Sequence, residues 1–423
     1  MKSKIVPILI ILTLSLIFLA SCEDTTYREY YGYAPVYMSY DELRNSIVAK
    51  DNVPLENPGK IYFKDDYIFI IEELKGIHVF DNHNPSSPLE KPFVNVPGVV
   101  DMVIKDNYLY ADSYVDLVVL DVSDAQNIKE AGRLKDILPY TIPPLTATDF
   151  QMGNVDKKKG LVTGWELKTI RERTYDNQDN YPVFTLRASM ANDAFYKSSG
   201  GVSSGGVGVG GSMARFGIMG KVLYVLESNR LNILDISNGK APSKISEIYP
   251  GNGIETMFLA NKTMFLGTTT GMIIYDIYEP KTPVKKSTYS HLRSCDPVIV
   301  DDTLAYVTLR SGTNCWGNVN CLDVINIRDL SLPSIVKSYP LTKPFGLGKD
   351  GDLLFICDAG LKVFDASDPK DIANHLIFTY SAINSFDVIP IGKVLILIGD
   401  DGLFQYDYSN VKNISLLSSI LVN

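Results

Sequence analysis

The sequence predicts an all-β chain: a β-propeller of seven four-stranded blades behind a leader segment and a short helix. Three observations predict it. A unit of about 40 residues recurs along the chain, the mark of a repeat architecture. One strand of each unit is apolar on both faces, so it needs cover on both sides. Gly, Asn, Asp and Pro stand where tight turns need them.

The leader comes first. Lys2 and Lys4 precede an uncharged apolar run from Ile5 to Ala20. Such a run is shorter than the roughly 20 residues of a membrane span and fits a secretory signal. It ends Leu19-Ala20-Ser21-Cys22, which resembles a bacterial lipobox. The resemblance implies a lipoprotein signal peptide at 1–21 and lipid on the Cys22 thiol. Two or more acyl chains would make that anchor stable. Glu23-Asp24 resemble a surface-export signal, so the expected location is the outer membrane, on its periplasmic side or at the cell surface. Residues 22–58 read as a tether and a short helix. Ser39 and Glu42 form a capping-box pattern, with the helix running to about Val48.

The propeller is expected over 59–423. The sequence GIHVFDNHNPSSP at 76–88 returns as LVVLDVSDAQN, LNILDISNGKAP, MIIYDIYEPKTP, LDVINIRDLSLP, LKVFDASDPKD and LFQYDYSNVKN. The anchor residue is Asp81, Asp121, Asp235, Asp276, Asn326, Asp365 and Asp407. An insert at about 136–212 separates Asp121 from Asp235. Upstream of each anchor lies a hairpin, and downstream another β-like run, giving strands a to d. Asp106-Asn107, Gly220-Lys221, Asp350-Gly351 and Gly392-Lys393 suit the a–b turns. The anchor carboxylate caps the c–d turn, and Pro after it cannot continue the ladder. Four-stranded sheets stacked face to face in a ring bury both sides of strand c, which is a propeller. The strand at 61–63 either opens the first blade or completes the last. The pattern is similar to the bacterial LVIVD-repeat family over 61–135 and 213–423, most clearly in LNILDIS and LKVFDAS. Asn326 and the Pro-free last copy depart from it. The resemblance implies fold and an envelope setting, without a shared chemistry.

Antiparallel order puts the starts of strands a and c on one face of the ring, here the upper face. Three anomalies belong there. The insert carries GWELKTIRERTY (164–175) and a Gly/Ser stretch, GGVSSGGVGVGG, at 200–211. That stretch reads as a flexible loop, because no strand-turn-helix context makes its glycines a nucleotide site. The loop RSGTNCWGNVNC (310–321) places Cys315 near Cys295, a candidate disulfide in an oxidising envelope, with Cys315–Cys321 the second choice. Lys60, Asp101, Arg215, Glu255, Asp296 and Asp387 fall at one register near the start of strand a, with Gly346 in the same column. They are expected to ring the upper channel mouth, either as a ligand site or as mutually neutralising ion pairs.

Net charge of −9 without a basic block argues against nucleic acid as a partner. No metalloprotease helix, Walker loop or nucleophile elbow is present, and the anchor acids lack the ligand density of calcium loops. Most of the 25 Tyr fall at alternating strand positions, where packing accounts for them. No cofactor and no metal are expected. The preferred reading is a non-catalytic scaffold that binds a protein or glycan through its upper face and insert. The alternative is an envelope hydrolase or oxidoreductase at the channel mouth, which requires a carboxylate there with a strongly raised pKa.

Overall fold

The computed structural model describes residues 26–51, 53–145, 149–173, 181–184, 209–210, 214–227, 229–268, 270–290, 298–311 and 319–423. The chain divides into two compact units, 1–37 with 145–180, and 38–144 with 181–423.

The larger unit is the predicted propeller. Seven antiparallel sheets each run a-b-c-d in chain order. Blade 1 is Pro58–Lys64, Tyr67–Glu72, Gly76–Asp81 and Leu89–Asn95. Blade 2 is Met102–Lys105, Tyr108–Ser113, Asp116–Asp121 and Lys129–Leu134. Blade 3 is Phe216–Met219, Val222–Glu227, Arg230–Asp235 and Ser243–Ile248. Blade 4 is Ile254–Ala260, Thr263–Thr268, Gly271–Asp276 and Val284–Ser290. Blade 5 is Val298–Asp301, Leu304–Leu309, Cys321–Asn326 and Ser334–Pro340. Blade 6 is Pro344–Asp350, Leu353–Asp358, Leu361–Asp365 and Leu376–Tyr380. Blade 7 is Ser385–Ile391, Val394–Gly399, Gly402–Asp407 and Ser415–Leu421.

Strands a of successive blades touch from blade 1 to blade 7, so strand a is innermost. The cores lie between sheets. Leu231 and Ile233 of blade 3 pack with Met264 and Ile273 of blade 4, and this sharing passes round the ring. Strand c is buried on both faces, as its composition requires.

The turns follow the sequence. All seven anchors accept a hydrogen bond from the backbone N–H two residues on, between 2.7 Å at Asp407 and 3.3 Å at Asp81. The a–b turns use left-handed residues, among them Asp106 (φ 51°), Gly220 (60°), Gly351 (56°) and Gly392 (55°). Each c–d pair carries one register shift.

The strand at 61–63 belongs to blade 1, so the last blade is complete without it. Closure therefore uses side chains. Ile61, Ile68 and Ile70 of blade 1 pack with Ile389, Ile396 and Leu403 of blade 7. Buried Asn82 and Gln405 exchange two amide bonds, at 2.8 and 2.6 Å. The Asn423 N–H donates to the Leu55 carbonyl at 3.0 Å.

Five departures from the sequence reading concern 22–58 and the insert. Residues 27–38, read as tether, form a strand, β1 (Tyr27–Met38). The helix α1 (Tyr40–Arg44) has both halves of the Ser39/Glu42 capping box but ends before Val48. Its last turn passes into a short strand, β2 (Val48–Lys50), paired outside strand d of blade 1. The insert supplies β3 (Gln151–Met152) and β4 (Leu161–Arg173), which flank β1 in a three-stranded sheet rather than forming an eighth blade. β1 runs parallel to β3, and a Cβ at Gly32 would lie 2.4 Å from the Gln151 carbonyl oxygen. The Gly/Ser stretch ends in β5 (Val209–Gly210), which pairs with strand a of blade 1 on the axial side. The remainder of that stretch up to residue 208, with Gly211, lies outside the described residues, as do residues 1–25, on which the expected signal peptide and Cys22 fall.

Candidate functional site

The axial column assembles around blades 1 to 3. Lys60 lies in strand a of blade 1, and Asp101 and Arg215 immediately precede strand a of blades 2 and 3. The period of the repeat therefore stacks them as neighbours. The Lys60 ammonium pairs with Asp101 Oδ2, which also accepts the Arg215 backbone N–H at 2.5 Å. Asp101 Oδ1 accepts the Met102 N–H at 2.8 Å. Asp387 repeats that local geometry in blade 7, where its Oδ1 accepts the Val388 N–H at 2.9 Å. Gly346 is small for a reason, since a Cβ there would meet the Phe386 carbonyl at 2.7 Å. The side chain of Glu255 and all of Asp296 lie outside the described residues. So do Cys295 and Cys315, while Cys321 opens strand c of blade 5 with its Sγ 3.5 Å from Asp323 Oδ1.

A second set of acids joins this cluster. Buried Asp112, near the end of strand b of blade 2, accepts the Val100 and Asp101 N–H groups at 2.7 and 2.9 Å. Glu227 at the end of strand b of blade 3 lies 3.6 Å from the Arg215 guanidinium. Burial pushes the Asp112 carboxyl up to about 7, and the charge of Glu227 adds to that; the two amides and Arg215 pull the other way. Burial lowers the Lys60 ammonium from its usual range, opposed by Asp101. The cluster is thus a buried polar network of two bases and three acids, in which Lys60, Asp101, Arg215 and Glu227 face opposite charge.

Strand-b acids recur outside the cluster. Glu72 accepts the Glu56 and Asn57 N–H groups at 3.0 and 2.8 Å, and Asp358 accepts those of Thr342 and Lys343. Each fastens the link leading into strand a of its own blade. The sequence signal was present, an acid at the upper end of strand b, but it stands at an apolar strand's edge and not at a turn. Two further side chains went unsingled in this role. Buried His78 places Nε2 3.5 Å from Glu72, between the rings of Phe80 and Phe93. Arg310, which follows strand b of blade 5, holds its guanidinium 3.6 Å above the Phe345 ring.

The stems of the insert pack on blade 2 within the larger unit. Phe184 meets the Tyr114 ring edge-on at 5.6 Å, and Ile142 bridges to Val183. Residues 98–136 and 210–249, which contain blades 2 and 3, match the family model of the LVIVD repeat. Two of the blades are thus similar to LVIVD repeats. No curated protein matches the chain in sequence. Among solved structures, the computationally designed Ika8 protein is 8% identical, over 88% of each chain, with a TM-score of 0.50. Sqt1 of Saccharomyces cerevisiae is 8% identical over 92% of this chain and 89% of its own, at 0.49. BamB of Moraxella catarrhalis is 8% identical over 84% and 85%, at 0.46. At such identity the likeness to Ika8 speaks to fold alone, and fold does not choose a function.

Proposed function

We propose that this chain is a lipid-anchored envelope protein, held at the outer membrane through Cys22, whose propeller is a non-catalytic binding scaffold. Its upper face is the platform, and the insert carries recognition of a protein or glycan partner. One observation supports the platform most directly. The Lys60, Asp101 and Arg215 groups at the upper end of strands a are held by one another, by backbone amides and, for the Arg215 guanidinium, by Glu227. A network so occupied braces three blades against one another and leaves their surface loops to recognise a partner.

The alternative is an envelope hydrolase or oxidoreductase at the same cluster. Asp112 favours it, since its pKa reaches about 7. Against it, both Asp112 hydrogen bonds go to the chain leading into strand a, and Arg215 lies close. Affinity capture from detergent-solubilised envelopes tests the choice. The samples are wild type, Asp101→Asn/Asp387→Asn, and a chain whose residues 146–180 are replaced by a Gly/Ser linker. A macromolecular partner kept by the double variant and lost with the insert is expected. A small molecule retained by wild type and lost from the double variant would sink the scaffold reading. In the same fractionation, a Cys22→Ser chain is expected in the soluble fraction.

A further inference from the structure

We infer that the smaller unit carries a binding face for a neutral polysaccharide, formed by one side of the β3-β1-β4 sheet. The inference rests on the scaffold reading above and names its ligand class. Alternation along a strand sends odd and even residues to opposite faces. Side-chain pairs assign them here. Arg28 and Tyr30 both bond Glu172, at 2.9 and 2.8 Å, while Gly32 and Ala34 between them and the strand end are buried. That even face is closed from Tyr30 to Ala34, with Val36 exposed beyond it. On the odd face the Arg171 guanidinium lies over the Tyr27 ring at 5.0 Å. Phe150 meets Tyr31 edge-on at 5.5 Å and Tyr33 at 6.2 Å. This face is open: Tyr31 is 53% exposed, Tyr27 50%, Phe150 39% and Leu167 36%.

Exposed rings at this density on one strand face are not explained by packing, which accounts for the tyrosines inside the blades. Their chemistry selects an occupant. A pyranose offers apolar C–H faces to aromatic planes and hydroxyl edges to polar groups. Here Glu29, Thr169, Arg171 and Arg173 are exposed polar groups on the odd positions of the same two strands. One acid and two bases leave a single net positive charge, too sparse to hold a polyanion, so the rings select the occupant and a neutral chain of sugars fits them. A stable protein interface takes about 20–30 residues a side, more than the outward positions of these strands supply. A bilayer would call for aliphatic side chains, and Leu167 is the one large aliphatic exposed on the odd positions of β1 and β4.

Affinity electrophoresis of the detergent-solubilised full-length chain in gels containing xylan, glucomannan, laminarin or dextran tests the inference. Retardation by at least one of them is expected. Tyr31→Ala should weaken it about tenfold, as truncating a central contact ring does, while Tyr31→Trp restores it and Tyr278→Ala, at an exposed ring on blade 4, leaves it unchanged. Absence of retardation in all four gels overturns the inference, as does retardation that Tyr27→Ala and Tyr31→Ala leave intact. Flotation with phosphatidylcholine/phosphatidylglycerol vesicles by the Cys22→Ser chain that needs the same tyrosines would overturn it in favour of a membrane surface. Release of new reducing ends from a retarding polysaccharide would keep the face and sink the non-catalytic reading, so the two can fail separately.

Discussion

The Asp112 carboxylate accepts two backbone N–H bonds, yet its pKa rises to about 7. Two amide dipoles stabilise the charged form less than burial and the nearby Glu227 carboxylate oppose it. In the unfolded chain the same group titrates near about 4. Between those values the folded chain holds a proton that the unfolded chain has lost. The contribution of Asp112 to stability is therefore whole below pH about 4, falls as pH rises to about 7, and is flat above. Asp112→Asn keeps an acceptor oxygen and removes the titration. Urea unfolding at pH 5 and 8 should show wild type losing on the order of 2–3 kcal/mol relative to the variant across that interval. A pH-independent difference would mean that Asp112 is ionised in both states. The neighbouring Lys60 and Arg215 were legible in the sequence as a column, because the repeat period places them. Asp112 and Glu227 were not, because an acid at the end of an apolar strand looks like a strand boundary until its amide partners are seen.

At the scale of the element, one device is used seven times. A side-chain oxygen at the end of strand c caps the N–H two residues on, and the strand then reverses into d with a register shift. Asn326 makes the same bond at 3.0 Å, so a neutral acceptor is enough to cap the turn. Asp407→Asn should then keep the wild-type unfolding midpoint, and Asp407→Ala, which loses the acceptor, should unfold at a lower temperature. Thermal unfolding of the two variants checks this; equal stability of Ala and wild type would reduce the cap to a by-product of the turn. β1 shows the opposite case. Its sequence YREYYGYAPVYM holds Gly32, Pro35 and charges, which read as tether. Gly32 is there because the β3 backbone comes too close for a Cβ. That cause lies more than 100 residues away in the chain, so local periodicity carried no trace of it.

For the whole molecule, closure of the ring is the point of greatest consequence. Many contacts within a blade are local, but blade 7 meets blade 1 across nearly the full chain. The Asn82–Gln405 pair spans 323 residues, and both side chains are buried. Removing one partner leaves a buried amide oxygen of the other without its bond, a cost of about 1–3 kcal/mol, although Gln405 Nε2 keeps the Pro85 carbonyl at 3.2 Å. Gln405→Leu and Asn82→Leu should each destabilise by that amount, and the double variant by less than their sum. Hydrogen exchange of the Asn423 amide, bonded to Leu55, should speed up in the single variants. Additive losses would show that the two amides are not coupled at closure.

The sequence by itself determined the seven-fold repeat, the four strands of each unit, the turn chemistry and the neighbourhood of Lys60, Asp101 and Arg215. Each of these is written in features a few residues long and copied at a fixed period. Only the tertiary structure decided how the ring closes, that 27–38 is a strand, that the insert builds its own sheet, and which tyrosines face outward. Those outcomes depend on pairings between distant segments, and the energy of such a pairing resides in the partner as much as in the residues being read.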